Sequence, residues 1–487
     1  MTLAVQQTDL FIQNLHARIP FRYGLATLER VPHLVLRATC EVDGQAVQGL
    51  AADTLPPKWF VKDIEETYRS EVESMIHVIE SACGFAEQVG ARDTPFDLWQ
   101  AVYAEQMNWA TREEDYPPLL WSFGVSLIER AMIDAFCRAK GTPFAAALRG
   151  GSLGLKLGEV HRPLHEYEPA DLLPERPAAT LGVRHTVGLA DPLTDGEIVA
   201  ASRLDDGLPQ SLEAAIDAYG LRLFKIKLNG NPEEDVQRLA GIATLLDRKG
   251  IDDFKFTLDA NENYMQLVTF RNMWEELAAD AYIGPFLEHM ICVEQPLHRD
   301  VAMSVMHEEE VRGWEERPAM VIDESDARLD SLPEALDAGY IGTAHKNCKG
   351  VFKGAANACL IEYHRRSSPE LGYLMTAEDL ANVGPIAMPQ DTAVVAALGI
   401  PHAERNGHHY FRGLEQWPES IQKATLTAHP DVYRAHEAGF PVLDITAGQI
   451  AIDSLNQAPL GAGAALDLSE LTPLDDWEFD SLGLEEG

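Results

Sequence analysis

From about residue 182 the chain repeats one pattern: a short β-prone apolar run, a polar end, then a helix-like stretch. The runs read GVRHTVGLA, LFKIKL, FKFTLDAN, MICVEQP, AMVIDES, GTAHKN, LGYLMTAED and HAERNG. Between them lie segments such as PEEDVQRLAGIATLLDRKG and RNMWEELAAD. Strands alternating with helices imply parallel pairing through helical crossovers. Near eight such units, roughly thirty residues apart, predict an α/β fold of the (β/α)8-type barrel class, with functional groups at the C-terminal strand ends. An open doubly wound sheet is the alternative. It usually carries a Gly-rich first turn such as G-x-G-x-x-G, and none is found.

The first 150 residues follow a different pattern. HLVLRATCEVDGQAVQGLAAD alternates apolar and polar positions around Asp-Gly, as a hairpin does. Helical runs follow and end in SLIERAMIDAFCRAKGTPFAAALRGG. Residues 1–150 are therefore expected to form an α+β capping domain, 151–435 the barrel with the active site, and 436–487 a return to the capping domain. In that last part FPVLDITAGQIAIDSLNQAPLGAGAALDL reads as strands and turns, and LTPLDDWEFDSLGLEEG as a solvated acidic tail.

Composition narrows the classes. The chain has 487 residues, 46% of them hydrophobic, which is ample for a large core. A barrel of about 250 residues plus a second domain fits that length. A net charge of −38 argues against nucleic acid or an anionic membrane as partner. No apolar run reaches the ~18 residues of a membrane span. The opening MTLAVQQTDL lacks a basic region and an apolar signal core, so a cytoplasmic location is expected. Six scattered cysteines, with no Cys-x-x-Cys pair, read as buried thiols in a reducing compartment. A homo-oligomer is left open.

The strand ends carry the chemistry. The second run presents Lys225 and Lys227, the third Asp259 and Asn261, and the fourth Glu294. The fifth presents Asp323 and Glu324, and the sixth Lys346 with Lys349 just beyond. Each alone is ordinary: Lys-x-Lys is common on exposed strands, and Asp and Asn favour turns. The alternation in FTLDANENY is also how an EF-hand loop begins, but its sixth and twelfth positions are Tyr264 and Phe270 instead of Gly and Glu. Order and position lift the set above these readings. Period two puts Lys225 and Lys227 on one strand face, and likewise Asp259 and Asn261. If those faces point into a barrel mouth, three carboxylates meet there with lysines on either side. Such carboxylates repel unless a cation sits among them, and oxygen ligands favour Mg2+ first, then Mn2+ or Ca2+. A lysine is a poor base at its ordinary pKa of about 10.4, but neighbouring positive charge and burial lower it. Lys227 could then take a proton from carbon next to a carboxylate, the metal stabilising the enediolate, with Lys346 across the site as acid or base.

On these residues the sequence resembles the enolase superfamily, in the mandelate racemase/muconate lactonizing enzyme group, closest to its muconate lactonizing and dipeptide epimerase-like pattern. AMIDAFCRAKGTPFAAALRGG looks like the joint between that family's capping domain and barrel, and APLGAGAALDL like its returning C-terminal strand. The resemblance implies Lys227 as base, Lys225 as its assistant and Lys346 as the opposite acid/base. It implies Asp259, Glu294 and Asp323 as Mg2+ ligands, with Asn261 and Glu324 supporting. It alone selects Asp323 over Glu324. IPFRYG (Arg22, Tyr23) and PPKWF (Lys58, Trp59) fall where the family's substrate-closing loops lie, and cationic and aromatic groups there would suit an anionic or ring-bearing substrate portion. His402, His408 and His409 are further candidates for substrate contact.

The departures are specific. HAERNGHHYFRG lacks the Asp-x-Asp with which dipeptide epimerases hold an amino group, and Gly350 is followed by Val351 where two glycines are usual. Residues near 95–118 and 155–180 read as insertions. The expected function is a Mg2+-dependent lyase or isomerase acting on a small carboxylate, by racemisation or epimerisation, cycloisomerisation or β-elimination. The alternatives are a non-enzymatic metal-containing barrel that senses a ligand, and another metal-dependent barrel isomerase or aldolase with histidine ligands.

Overall fold

A two-residue turn organises the N-terminal sheet. Asp43 and Gly44 both take positive φ, 49° and 81°, the pairing a tight hairpin requires. They join β2 (Ala26–Val42) to β3 (Gln45–Thr54), and the long β1 (Leu3–Tyr23) pairs antiparallel with β2. The computed structural model describes residues 2–304 and 313–484. Helices α1 (Tyr68–Gln88), α2 (Pro95–Trp109) and α3 (Pro118–Lys140) pack on this sheet. Leu119 to Cys137 of α3 is buried throughout, because α3 lies between the sheet and its neighbours. Two glycines permit that approach: a Cβ on Gly49 would lie 2.0 Å from Ala131 O, and one on Gly124 2.0 Å from Val78 O.

All eight predicted barrel runs are strands. They are β4 (Thr180–Val187), β5 (Leu223–Lys227), β6 (Lys255–Asp259), β7 (Met290–Glu294), β8 (Met320–Ile322), β9 (Gly342–His345), β10 (Leu374–Ala377) and β11 (His402–Arg405). They pair in parallel in the order β10-β9-β8-β7-β6-β5-β4-β11. The first strand of this series is thus hydrogen-bonded to the eighth, so the sheet curls round on itself, and the doubly wound alternative is excluded. A fully closed barrel ladder was expected. Among the described residues no main-chain ladder joins β10 to β11. Buried arginines cross that seam instead. Arg184 donates to Ala377 O and to Glu378, both at 3.1 Å, and Arg405 pairs with Asp379 at 2.5 Å.

The C-terminal segment departs from expectation in two ways. The strand β14 (Gln449–Ala451) pairs antiparallel with β4 of the barrel sheet, not with the N-terminal sheet, while β12 (Tyr433–Ala435) and β13 (Pro441–Leu443) form a separate hairpin. Contact with the N-terminal sheet comes later, where β15 (Thr472–Pro473) pairs with Phe11 and Ile12 of β1. The acidic end is also not a solvated tail. Leu471 and Leu482 are buried, and Trp477 Nε1 donates to Asn14 Oδ1 at 3.0 Å. Apolar residues spaced among the acids anchor it; its last three residues lie outside the described ones. The six cysteines are free and buried, and among the described residues no helix is long and apolar enough to cross a membrane.

One carboxylate ties α3 to the barrel. Glu129 accepts from Val351 N at 3.1 Å and Phe352 N at 2.6 Å, at the start of the helix Val351–Ser367 that follows β9. Burial outweighs these two bonds and pushes its pKa from 4.5 to about 7. Its stabilising contribution is therefore complete below pH about 4.5 and lost as pH rises through about 7. Glu129→Gln keeps an acceptor and cannot ionise. It should gain about 3 kcal/mol on the wild type between those limits. Urea unfolding of both proteins at pH 5 and pH 8 measures this; a difference independent of pH would contradict it.

Candidate active site

The register of neighbouring strands places the predicted groups in line. Lys227 is opposite Asp259, and Asp259 opposite Glu294. Asp323 and Lys346 follow directly on β8 and β9. All five are buried, together with Lys225. Lys225, Lys227, Asp259, Asp323 and Lys346 line one cleft, and Glu294 lies directly behind it, bonded to Lys225.

The cleft is a lattice of opposite charges. Lys225 Nζ lies 2.9 Å from Asp259, 2.9 Å from Glu294, 2.6 Å from Glu378 and 2.9 Å from Glu404. Burial alone would lower its pKa, but these four carboxylates raise it well above the ordinary value. Lys227 Nζ is 2.5 Å from Asp259 Oδ2. Against its burial, Lys225 and Lys227 hold the Asp259 carboxyl well below the usual range. Across the cleft Lys346 Nζ bonds Asp323 at 2.6 Å and Glu378 at 2.7 Å. Lys349 bonds the other Asp323 oxygen at 2.6 Å and Ala344 O at 2.8 Å. Five carboxylates (Asp259, Glu294, Asp323, Glu378, Glu404) face five cations (Lys225, Lys227, Lys346, Lys349, Arg184).

Two of these carboxylates were not singled out from sequence. Glu378 directly follows β10 in TAED, and Glu404 lies in β11 within HAERNG. The strand-end rule that found Asp259 and Glu294 applies equally to both. Glu324, by contrast, does not line the cleft. Burial and then Asp323 raise its pKa to about 8.

The lid comes from the N-terminal domain. Phe21, Tyr23, Leu28, Pro56 and Trp59 close the cleft with an apolar, aromatic wall. The Trp59 ring lies 5.1 Å from Lys346 Nζ, and Tyr23 Oη donates to Pro57 O at 2.9 Å. Among the described residues lining this wall, neither Arg22 nor Lys58 is found. Arg22 is exposed because β1 alternates faces and turns Phe21 and Tyr23 inward. Lys58 is engaged by Glu71 at 2.9 Å and by Asp63 O at 2.8 Å.

The end of β6 holds the lid down. Asn261 and Glu262 both take left-handed φ, 42° and 64°. Lys62 donates to Asn261 O at 2.5 Å. Arg299 grips both Glu262 oxygens at 2.8 Å and donates to Trp59 O and Phe60 O at 3.0 Å. Asn261 lines the cleft and donates from its backbone N to Asp259 Oδ1 at 2.8 Å.

The histidines lie apart from the cleft. His408 faces a second, mostly apolar pocket with Tyr219 and Tyr433. It meets His185 at 3.1 Å, and burial holds both rings, like His409, well below the usual pKa. His402 instead bonds Arg184 at 3.0 Å.

Groups that could hold a metal are carboxylates. Oxygens of Glu294, Asp323 and Glu378 lie within 4.8 Å of one another. Such an all-oxygen set fits a hard divalent cation. No such cluster contains histidine among the described residues, so the histidine-ligand alternative gains no support.

No family model matches the sequence, and no curated protein is similar to it in sequence. Solved structures do match. A mandelate racemase/muconate lactonizing protein from Herpetosiphon aurantiacus has a TM-score of 0.60 at 16% identity, covering 95% of this chain and 99% of its own. The fold is that of the mandelate racemase/muconate lactonizing enzyme proteins. A muconate lactonizing enzyme from Pseudomonas fluorescens, complexed with muconolactone, is similar with a TM-score of 0.59 at 15% identity, over 95% of this chain and 97% of that one. An enolase from Bradyrhizobium, complexed with magnesium and mandelic acid, has a TM-score of 0.58 at 15% identity, over 97% and 99%.

Proposed function

We propose that this protein is a Mg2+-dependent enzyme that removes the α-proton of a small carboxylate substrate. Racemisation or epimerisation, cycloisomerisation or β-elimination then completes the reaction. The observation that carries this reading is a pair of lysines on strands half a turn of the sheet apart. Lys227 ends β5 and Lys346 follows β9, and the buried carboxylates of β6, β7 and β8 lie between them. A protein that only binds or senses a ligand has no need of such a pair. Among proteins of this fold, the Bradyrhizobium structure contains magnesium and mandelic acid, itself a carboxylic acid with a hydrogen on its α-carbon.

Each side chain has a task in this reading. Asp259, Glu294 and Asp323 would hold the cation, with Mn2+ an acceptable substitute. When bound, the cation supplies positive charge that stabilises an enediolate. Lys227 takes the proton from one face of the substrate. Lys225, fixed by four carboxylates, keeps its positive charge beside Lys227. Lys346 serves the other face, returning a proton or protonating a leaving group. Tyr23 and Trp59 close over the substrate and exclude water, and their apolar wall suits a ring or hydrocarbon portion better than a second anionic group.

The test is exchange. Protein with Mg2+ and a set of carboxylic acids in D2O should incorporate α-deuterium into at least one acid, and EDTA should stop it. Tight binding of one acid with no exchange in any would favour the sensing alternative and sink the enzyme reading.

A further inference from the structure

We propose that the C-terminal segment 477–482 sets the position of the lid over the cleft, with Phe479 acting through Tyr68 as a positioning residue. The lid segment 55–67 leaves β3 and rejoins the structure at Tyr68, the first residue of α1. It contains no helix or strand, yet Pro56 and Trp59 within it line the cleft. Its place therefore depends on side-chain ties. Two of them lie in the first turn of α1. Tyr68 Oη donates to Leu55 O at 2.6 Å, and Glu71 pairs with Lys58 at 2.9 Å.

The C-terminal segment holds that first turn. The Phe479 ring meets the Tyr68 ring edge to face, with centroids 5.6 Å apart and planes at 75°. The Arg69 guanidinium lies over the same Phe479 ring at 4.6 Å and pairs with Asp480. That ion pair contributes little, because its side chains are 40% and 81% exposed. The aromatic contact is the stronger link. The segment is itself fixed to the N-terminal sheet. Trp477 Nε1 donates to Asn14 Oδ1 at 3.0 Å, Asn14 Nδ2 to Ser481 Oγ at 2.9 Å, and Arg30 to Leu482 O at 2.6 Å. Leu482 is fully buried. A chain of contacts thus runs from β1 and β2, through Phe479 and Tyr68, to the base of the lid. No residue of 477–482 lines the cleft. Without the Phe479 ring, Tyr68 loses its cover, and segment 55–67 has more freedom to lose when a substrate binds beneath it. Affinity falls, while the lysines and carboxylates of the barrel keep their places.

Amide hydrogen exchange of wild type and Phe479→Ala, followed by mass spectrometry, tests this without a substrate. Peptides covering 55–67 should exchange faster in the variant, and peptides covering β5 to β9 should not change. Phe479→Tyr keeps the ring and should match wild type. Unchanged exchange in 55–67, or an equal rise in all peptides, overturns the proposal. The second readout rests on the reaction proposed above. For an acid that the wild type exchanges in D2O, Phe479→Ala should raise KM roughly tenfold and leave kcat unchanged. A fall in kcat at constant KM overturns the positioning role. If Phe479→Ala does not fold, Tyr68→Phe, which removes only the bond to Leu55 O, must give the same lid exchange and KM change. Wild-type protein that exchanges no acid sinks the reaction alone, and the amide exchange of 55–67 still decides this proposal.

Discussion

Lys227→Met should abolish α-hydrogen exchange in D2O for the substrate enantiomer whose α-hydrogen faces Lys227, without unfolding the protein. A positioned general base contributes about 10²–10⁴-fold, so exchange should fall by at least that factor. Lys227 lines the cleft with its Nζ beside Asp259, so the change removes the base and leaves the surrounding sheet intact. Methionine fills much of the same volume, and Lys225 still offsets the Asp259 charge. Lys346→Met provides the complement. If the two lysines serve opposite faces, it should spare exchange in one enantiomer of the substrate and stop it in the other. NMR integration of the α-proton measures both. Exchange of both enantiomers surviving Lys227→Met would remove the assignment of this lysine as base.

The second large effect lies in the joint between the N-terminal domain and the barrel. Arg130→Met should destabilise the fold by about 3–5 kcal/mol at pH 7, the usual loss when one partner of a buried ion pair is removed. Arg130 is fully buried and donates to Asp53 Oδ2 at 2.8 Å, Ala52 O at 2.9 Å and Ser126 O at 3.1 Å. Asp53 in turn accepts from Asn382, which also donates to Asp391, both at 2.8 Å. Without the guanidinium, Asp53 faces Asp391 through one amide with its main compensating charge gone, while Asp391 keeps Arg405. Burial already raises both carboxyls. The variant should therefore bind protons more readily than wild type, and its deficit should shrink as pH falls from 7 to 5. Urea unfolding at the two values checks this; a deficit that is small or independent of pH would show that the pair contributes little.

Much of this architecture was readable before any coordinates. The eight apolar runs were legible because each is short, β-prone and followed by a polar end and a helix-like stretch. Lys225, Lys227, Asp259, Glu294, Asp323 and Lys346 were legible because strand ends of such a sheet converge. Glu378 and Glu404 obeyed the same rule and were overlooked in TAED and HAERNG. What was not legible depends on contacts distant in sequence. Arg184 and Arg405 bridge the β10–β11 seam only because the sheet curls. Glu129 meets Val351 across 222 residues. Arg22 lies outside the cleft lining for a local reason: period two along β1 turns Phe21 and Tyr23 to the cleft and so turns Arg22 to solvent. Lys58 is drawn off by Glu71, which follows it by thirteen residues in the next helix.

The stretch from Asp259 to Glu262 joins two events that look separate. Its left-handed Asn261 and Glu262 cost roughly 1–3 kcal/mol each, and the lid contacts of Lys62 and Arg299 help to offset that cost. A closed lid and a correctly placed Asp259 are then two readings of one backbone state. Coupling of this kind is reciprocal. A carboxylate ligand beneath the lid and a divalent ion at the strand ends should each strengthen the binding of the other by the same factor. Titrating each in the absence and presence of the other gives that factor from both sides; a value of one would mean that lid and strand end move independently.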